Sequence, residues 1–131
     1  MADLLAPRSF ARGWAFLLVA LVGLGMTLEL VGAPRFLPGF LEFDWTHDAL
    51  HVVLLGLAVY FGWFAQAGTA RRYAQAFGVG GLLVALTGFV LPLADAVHAA
   101  TGWHFELGEN LVHGILGVWG AVAGFRRGAA A

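Results

Sequence analysis

The chain has 131 residues, of which 60% are hydrophobic and only 11% are charged, and its formal net charge is −1. A soluble domain is roughly half apolar and about a quarter charged, so this composition indicates a single domain, over residues 1–131, that is surrounded by lipid. The lack of cysteine excludes thiolate chemistry, the lone Ser9 argues against a serine hydrolase, and the near-neutral charge argues against nucleic-acid binding; we therefore expect no enzyme.

Four apolar segments follow one another along the chain, at residues 14–31, 49–67, 76–94 and 111–125. Each is continuous rather than alternating, and a helix needs roughly 20 apolar residues, within a range of about 17–25, to cross a bilayer. The fourth segment is shorter and fits if a polar first turn near Glu109 lies in the headgroup layer. The sequence therefore predicts an all-α integral membrane protein with four transmembrane helices.

The arginines predict how these segments are oriented. Six of the seven basic residues lie before the first segment, between the second and third, or after the fourth, and only Arg35 lies on the other side. Because basic residues concentrate in cytoplasmic loops, we predict that both termini are cytoplasmic. Tryptophans are common at membrane interfaces, so Trp14 and Trp63 would mark the cytoplasmic side, and Trp45 and Trp103 the outer side.

The chain also contains an internal repeat. The segment LLVALVG at 17–23 is identical at six of seven positions to LLVALTG at 82–88. Two helices per unit give both units the same orientation, as in transporters with parallel repeats. We therefore predict two tandem hairpins, at about 14–67 and about 76–125, related by a pseudo-twofold axis along the membrane normal in a four-helix bundle.

Small residues at helical spacing mark one face of the third and fourth segments. Such residues let membrane helices approach closely, so we expect tight packing there. The residues are Gly81, Ala85 and Gly88 in the third segment and Gly117, Gly120, Ala121 and Gly124 in the fourth.

A short motif occurs once in each unit, as FDWTHDALH at 43–51 and as FELGENLVH at 105–113. In both, an aromatic-acidic pair precedes Asp or Asn, two further residues and His. The chain resembles, over nearly its whole length, an uncharacterised family of small bacterial four-helix membrane proteins, a domain of unknown function with this repeated Asn/Asp-x-x-His motif. In that family Gly follows the His by four residues, as Gly117 does here, whereas after the first motif it comes one residue later, at Gly56. The resemblance implies the fold and a location in the bacterial inner membrane, and it implies no activity.

Histidines and a carboxylate form a candidate site at the outer face. Residues four apart share one face of a helix, which pairs two histidines on the second helix and a glutamate with a histidine on the fourth. If the pseudo-twofold axis brings these helices together, the ligands suit zinc or another divalent first-row metal. The candidate ligands are His47, His51, Glu109 and His113, with Asp48 and Asn110 as supporting residues around them.

Two other interpretations of the cluster stay open. His51 and His113 have equivalent positions on facing helices and are suited to be axial ligands of haem b, which we rank below a divalent metal. Alternatively, both histidines only form hydrogen bonds between helices, while Asp48 and Asn110 bind free amides in the first turn of their helices.

The first outer loop is more apolar than a water-exposed loop would be. It lies either in the headgroup layer or against another membrane protein. The proposed docking residues are Phe36, Leu37, Phe40 and Leu41. Together with the small size, the loop favours an accessory or structural subunit that docks on a larger membrane complex, and metal or haem binding is the alternative function. The expected partners are membrane lipid and other membrane subunits.

Overall fold

The structure is a computed structural model that describes residues 3–33, 40, 45–103 and 105–126. Within these ranges all regular secondary structure is helical, which confirms the predicted all-α class. The helices are α1 (Pro7–Leu30), α2 (Trp45–Val59), α3 (Ala67–Phe89), α4 (Leu91–Thr101) and α5 (Leu107–Phe125), and a π-helical turn, Tyr60–Phe64, continues α2.

Two of these helices are long and apolar enough to cross a membrane, namely Pro7–Leu30 and Trp45–Phe64. A third span results if α3 and α4, which are bent by 105°, are taken as one. Only 28% of the apolar window of the first helix and 17% of that of the second are buried inside the protein, so most of their side chains face outward. Apolar helices that the protein itself does not cover indicate a membrane protein.

The third apolar segment is not one continuous helix. The sequence predicts a span over residues 76–94, but α3 ends at Phe89 and α4 begins at Leu91. Val90 between them has φ −103° and ψ 89°, outside the helical region. Pro92 lies at the start of α4, where its missing N–H costs nothing, whereas inside a continuous helix it would remove a hydrogen bond. The described residues therefore form five α-helices where four were predicted.

The tightest packing lies between α3 and α5, and it uses the small residues. A Cβ atom at Gly78 would overlap the backbone of Ala121 and would lie 2.6 Å from the carbonyl carbon of Gly120. At Gly117 a Cβ atom would lie 2.6 Å from the backbone nitrogen of Leu82. The expected close approach of the two helices is therefore confirmed, and it depends on the missing side chains.

Arginine side chains close the helix ends at one end of the bundle. Arg12 Nε donates a hydrogen bond to the Gly62 carbonyl, and Arg71 Nε donates one to the Gly124 carbonyl, both at 2.8 Å. The last carbonyls of a helix lack partners within the helix, and a cation there also complements the helix dipole. Sequence reasoning treated these arginines as signals of orientation and missed this second role.

The apolar core lies in the same half of the bundle as the arginines. Phe10, Trp14 and Leu18 of α1 are its largest fully buried side chains. The Trp14 ring packs against Phe77 at 5.0 Å between centroids, and Phe10 packs edge-on against Trp119 at 5.2 Å. Trp14 is only 2% exposed, so its ring belongs to the core.

Candidate metal centre

Three histidines meet at the other end of the bundle. The rings of His47 and His51 on α2 lie 4.4 Å apart, and the ring of His113 on α5 lies 6.3 Å and 6.4 Å from them. One ring nitrogen from each histidine lies within 4.8 Å of the other two. The structure thus places these three candidate ligands together, although they come from two different helices.

A backbone hydrogen bond orients one of the three rings. The Nδ1 atom of His113 lies 2.8 Å from the carbonyl oxygen of Glu109, one turn earlier on α5. Because a carbonyl can only accept, Nδ1 carries the proton, and Nε2 of the neutral ring keeps its lone pair. Histidine ligands of metal ions are commonly held in this way, with the second ring nitrogen donating to a carbonyl or a carboxylate.

The Glu109 side chain lies at the edge of the same cluster. Its Oε1 atom is 3.9 Å from Nδ1 of His47, and the residue is 9% exposed. This separation is longer than a hydrogen bond but within the range of an ion pair. Glu109 is not among the three residues whose ligand atoms lie within 4.8 Å of one another, but it is close enough to balance the charge of a bound cation.

Two tryptophans that sequence reasoning did not assign to the site form its walls. The indole of Trp103 stacks on His47, with 6.1 Å between centroids and 25° between planes. Trp14 meets His51 edge-on at 6.5 Å. Trp103 lies between α4 and α5, and Trp14 lies on α1, so neither shares a helix with the histidines. Helical spacing could not have found them.

The two predicted supporting residues are both buried but differ in position. Asn110 is 3% exposed and lines the cavity described below, and its Nδ2 atom donates to the Phe105 carbonyl at 3.3 Å. Its amide packs directly against Gly88 of α3. Asp48 is 4% exposed but does not line the cavity. Of the pair, only Asn110 therefore lies beside the cluster.

A cavity of about 360 Å³ extends from the histidines into the bundle. It separates α2 from α3 and α5, since no Cα atom of α2 comes within 8 Å of a Cα atom of either helix. The histidine cluster is at one end of the cavity, which we call its outer end, and Tyr73 is at the opposite, inner end. Trp14 lines the cavity between them and meets His51. Most of the wall between these ends is apolar, with Leu50, Leu54 and Leu57 on α2 and Ala76, Phe77, Gly80 and Val84 on α3.

Of the four proposed docking residues, Phe36, Leu37 and Leu41 lie outside the described part of the chain. Phe40 is described, and its carbonyl accepts a hydrogen bond of 2.8 Å from the Gly108 N–H at the start of α5. The residue remains 43% exposed. The structure therefore fixes the backbone of Phe40 at the same end of the bundle as the histidines and leaves the residue partly uncovered.

No protein-family model, curated protein or solved structure matches this chain. The resemblance to the small bacterial membrane family therefore stays an expectation from the motif. The geometry of the histidine cluster is therefore the feature that indicates a function.

Proposed function

We propose that this is a small, non-enzymatic membrane protein that binds a divalent first-row metal ion, with zinc as the first candidate, through His47, His51 and His113. The observation that carries the proposal is the convergence of the three imidazoles within 4.8 Å at the end of a cavity. Imidazole nitrogen is a preferred ligand of these ions. Glu109 or a non-protein group completes the coordination.

The clustering of ring nitrogens supports a metal ion. One nitrogen of each imidazole lies within 4.8 Å of the other two, and imidazole is a common ligand of zinc. A single cation accepts one lone pair from each ring. With zinc–nitrogen bonds of about 2.0–2.1 Å, tetrahedral ligand atoms lie about 3.4 Å apart. The ring nitrogens lie within 4.8 Å of one another, so they must approach by at most roughly 1.4 Å. Side-chain rotation or a small shift of α2 across the cavity would achieve this.

Haem fits the site less well than a metal ion. Pockets for drug-sized ligands range over about 300–1,000 Å³, and the cavity of about 360 Å³ lies at the lower limit. A porphyrin with its substituents needs more room than that. In addition, the centroid of the His47 ring lies 6.3 Å from that of His113. The His47 ring is therefore close to the space that a macrocycle between His51 and His113 would occupy.

We further propose four membrane crossings, with α5 as the last and both termini in the cytoplasm of a bacterium. The polar residues Glu109, Asn110 and His113 in the first two turns of α5 lower its mean hydropathy, and these are the residues of the site. The arginine contacts to Gly62 and Gly124 lie at the end of the bundle away from the histidines. That arrangement supports a cytoplasmic arginine end and a metal site at the outer face.

The two arginine contacts also support the tandem-hairpin proposal. In each hairpin an arginine of the first helix donates to a glycine carbonyl near the end of the second helix. Gly62 and Gly124 are equivalent positions of the proposed repeat. The pseudo-twofold axis would then relate α1 and α2 to α3 and α5.

The metal proposal is tested by metal analysis of protein purified in detergent, followed by titration with Co²⁺, whose visible absorption reports its ligands. The wild type should bind one ion per chain, and the His51→Ala/His113→Ala double variant should bind none. His98→Ala controls for the loss of an imidazole near the site, because this exposed histidine on α4 lies 3.0 Å from the Trp103 carbonyl oxygen but does not line the cavity. Equal Co²⁺ affinity of the wild type and the double variant would overturn the proposal.

A role as an accessory subunit remains a second proposal, favoured by the exposed ring of Phe40. Its backbone is held by Gly108, so Phe40→Asp should release a membrane partner without unfolding the bundle. The measurement is copurification after chemical crosslinking in native membranes, with Leu50→Asp, which lines the cavity, as a variant at a different surface. An unchanged set of crosslinked proteins in Phe40→Asp would leave lipid as the only neighbour of this surface.

A further inference from the structure

We propose that the cavity below the histidines binds a single-chain fatty acid, with its carboxylate on the metal ion and its chain directed toward Tyr73. The inference rests on the proposed metal site and names the ligand that completes it. It follows from the size of the cavity, its side opening and the charges at its outer end.

The volume of the cavity matches one chain of moderate length. A cavity of about 150 Å³ holds benzene with its six carbons, so at similar packing the 360 Å³ found here would hold about 14 non-hydrogen atoms. Dodecanoate has this size. A phospholipid with two chains and a large headgroup does not fit. Water is disfavoured because the apolar wall between α2 and α3 offers it few hydrogen-bond partners.

The cavity opens toward the side of the bundle. Leu50 and Leu57 on α2 and Val84 on α3 line it, and each is partly exposed. The two helices do not approach one another along this stretch and meet only at the π-helical turn at the inner end. In a bilayer such a gap faces acyl chains, so a lipid-soluble ligand reaches the cavity without crossing water.

The charge of the bound ion at the outer end selects an anionic head. A divalent ion held by three neutral imidazoles and neighbouring Glu109 carries a net charge of +1, and a buried net charge is costly. One carboxylate neutralises it. Trp103, which lines this end, has a buried Nε1 donor with no hydrogen-bond partner among the described residues, and a carboxylate oxygen would accept from it.

The experiment uses Co²⁺-loaded protein in phospholipid nanodiscs, where no single-chain detergent competes for the cavity. Dodecanoate should change the Co²⁺ spectrum and bind with saturation, and dodecanol should bind at least tenfold more weakly because it lacks the anion. Dodecanol binding as tightly as dodecanoate would overturn the assignment of the head group.

Gly80→Leu tests the chain end independently of the metal. A Cβ atom at Gly80 meets nothing within 4 Å, so a leucine there fills the cavity without displacing a helix. Gly23→Leu is the matched control, on an exposed part of α1 that also has nothing within 4 Å. Gly80→Leu should lower the dodecanoate affinity at least tenfold, with Co²⁺ affinity unchanged, and Gly23→Leu should change neither.

The outcomes separate the two proposals. Failure of the wild type to bind Co²⁺ overturns the metal site and, with it, this inference. Normal Co²⁺ binding with dodecanoate affinity that is absent, or that is unaffected by Gly80→Leu, overturns the fatty-acid site alone.

Discussion

The two sides of the bundle fill the space between helices in opposite ways. Between α3 and α5, glycines let the backbones touch, and a Cβ atom at Gly117 would lie 2.6 Å from the Leu82 nitrogen. Between α2 and α5, no Cα atoms approach within 8 Å, and a cavity of about 360 Å³ separates them. The helices α3 and α5 touch because the glycines at the contact have no side chains. The helices α2 and α5 are connected by imidazoles at the histidine end of the cavity.

This difference shows how a small membrane protein can combine a rigid part with a binding site. In lipid there is no hydrophobic force that drives helices together, so an apolar gap is not forced to close. Direct packing between α3 and α5 supplies stability, whereas the position of α2 depends on α1 and on what occupies the gap. Substitutions on the two sides should therefore differ in their dependence on metal.

The largest loss of stability should follow Gly78→Leu. The new side chain meets the backbone of Gly120 and Ala121, which cannot move aside as a flexible side chain would. We expect a loss of about 3 kcal/mol, at the upper end of the usual cost of overpacking. The measurement is thermal unfolding in detergent, followed by circular dichroism.

Gly80→Ala is the control for this substitution, because a Cβ atom there meets nothing within 4 Å. Its stability should equal that of the wild type or exceed it by up to about 1 kcal/mol, the usual difference in helix propensity between Ala and Gly. If Gly78→Leu and Gly80→Ala unfold at the same temperature, the close packing of α3 on α5 is not what stabilises the bundle.

Metal binding should produce the next largest change in stability, and only substitutions at the histidines between α2 and α5 should abolish it. At a free metal concentration 100 times Kd, binding to the folded state adds about 2.7 kcal/mol of stability. The His51→Ala/His113→Ala variant should lose this increment, and Gly80→Ala should retain it in full. The measurement is the same thermal unfolding with and without Zn²⁺. A metal-induced rise in the double variant would place the ion elsewhere.

Much of the helical framework could be predicted, because apolar composition decides it. The segment predicted at 14–31 corresponds to α1, which starts earlier, at Pro7. Its first turns carry Arg8 and Arg12, whose charges hid the helix from a search for apolar runs. The break at Val90 was missed for the opposite reason, since Pro92 lies inside an apolar run and composition alone does not show a bend.

The candidate site could be predicted only in part. Spacing of four residues correctly placed His47 beside His51 on α2. The separation of α2 from α5, and the position of Asp48 away from the cavity, depend on how α2 is rotated against α1, and no local pattern carries that information. Trp103 reaches the site from the segment before α5, and contacts of this kind depend on the tertiary fold.

Loss of Arg12 or Arg71, which bind carbonyls at the end of the bundle away from the histidines, should cause an intermediate loss of stability. The loss should be larger for Arg12, in the first hairpin, than for Arg71, in the second. Arg12→Met removes the bond to Gly62 and the contact of its guanidinium with the Trp63 ring at 5.4 Å, so we expect a loss of about 1.5 kcal/mol. Arg71→Met should cost less than about 1 kcal/mol, because Gln75 also donates to the Gly124 carbonyl, at 3.0 Å. Unfolding of both variants in parallel measures the difference, and the reverse order would show that the second donor to Gly124 does not compensate.

The smallest effect should come from the pair formed by Asp3 and Arg126, which links the segment before α1 to the end of α5. The closest nitrogen–oxygen distance is 3.3 Å, but the side chains are 56% and 48% exposed. Water and salt screen such a pair, so Asp3→Asn should change the free energy of unfolding by less than about 0.5 kcal/mol. A double-mutant cycle with Arg126→Gln, at low and at high salt, isolates the coupling between the two side chains. If the coupling exceeded about 1 kcal/mol and persisted in high salt, the pair would have to be shielded from water, for example by lipid headgroups, and the closed end of the bundle would depend on charge as well as on packing.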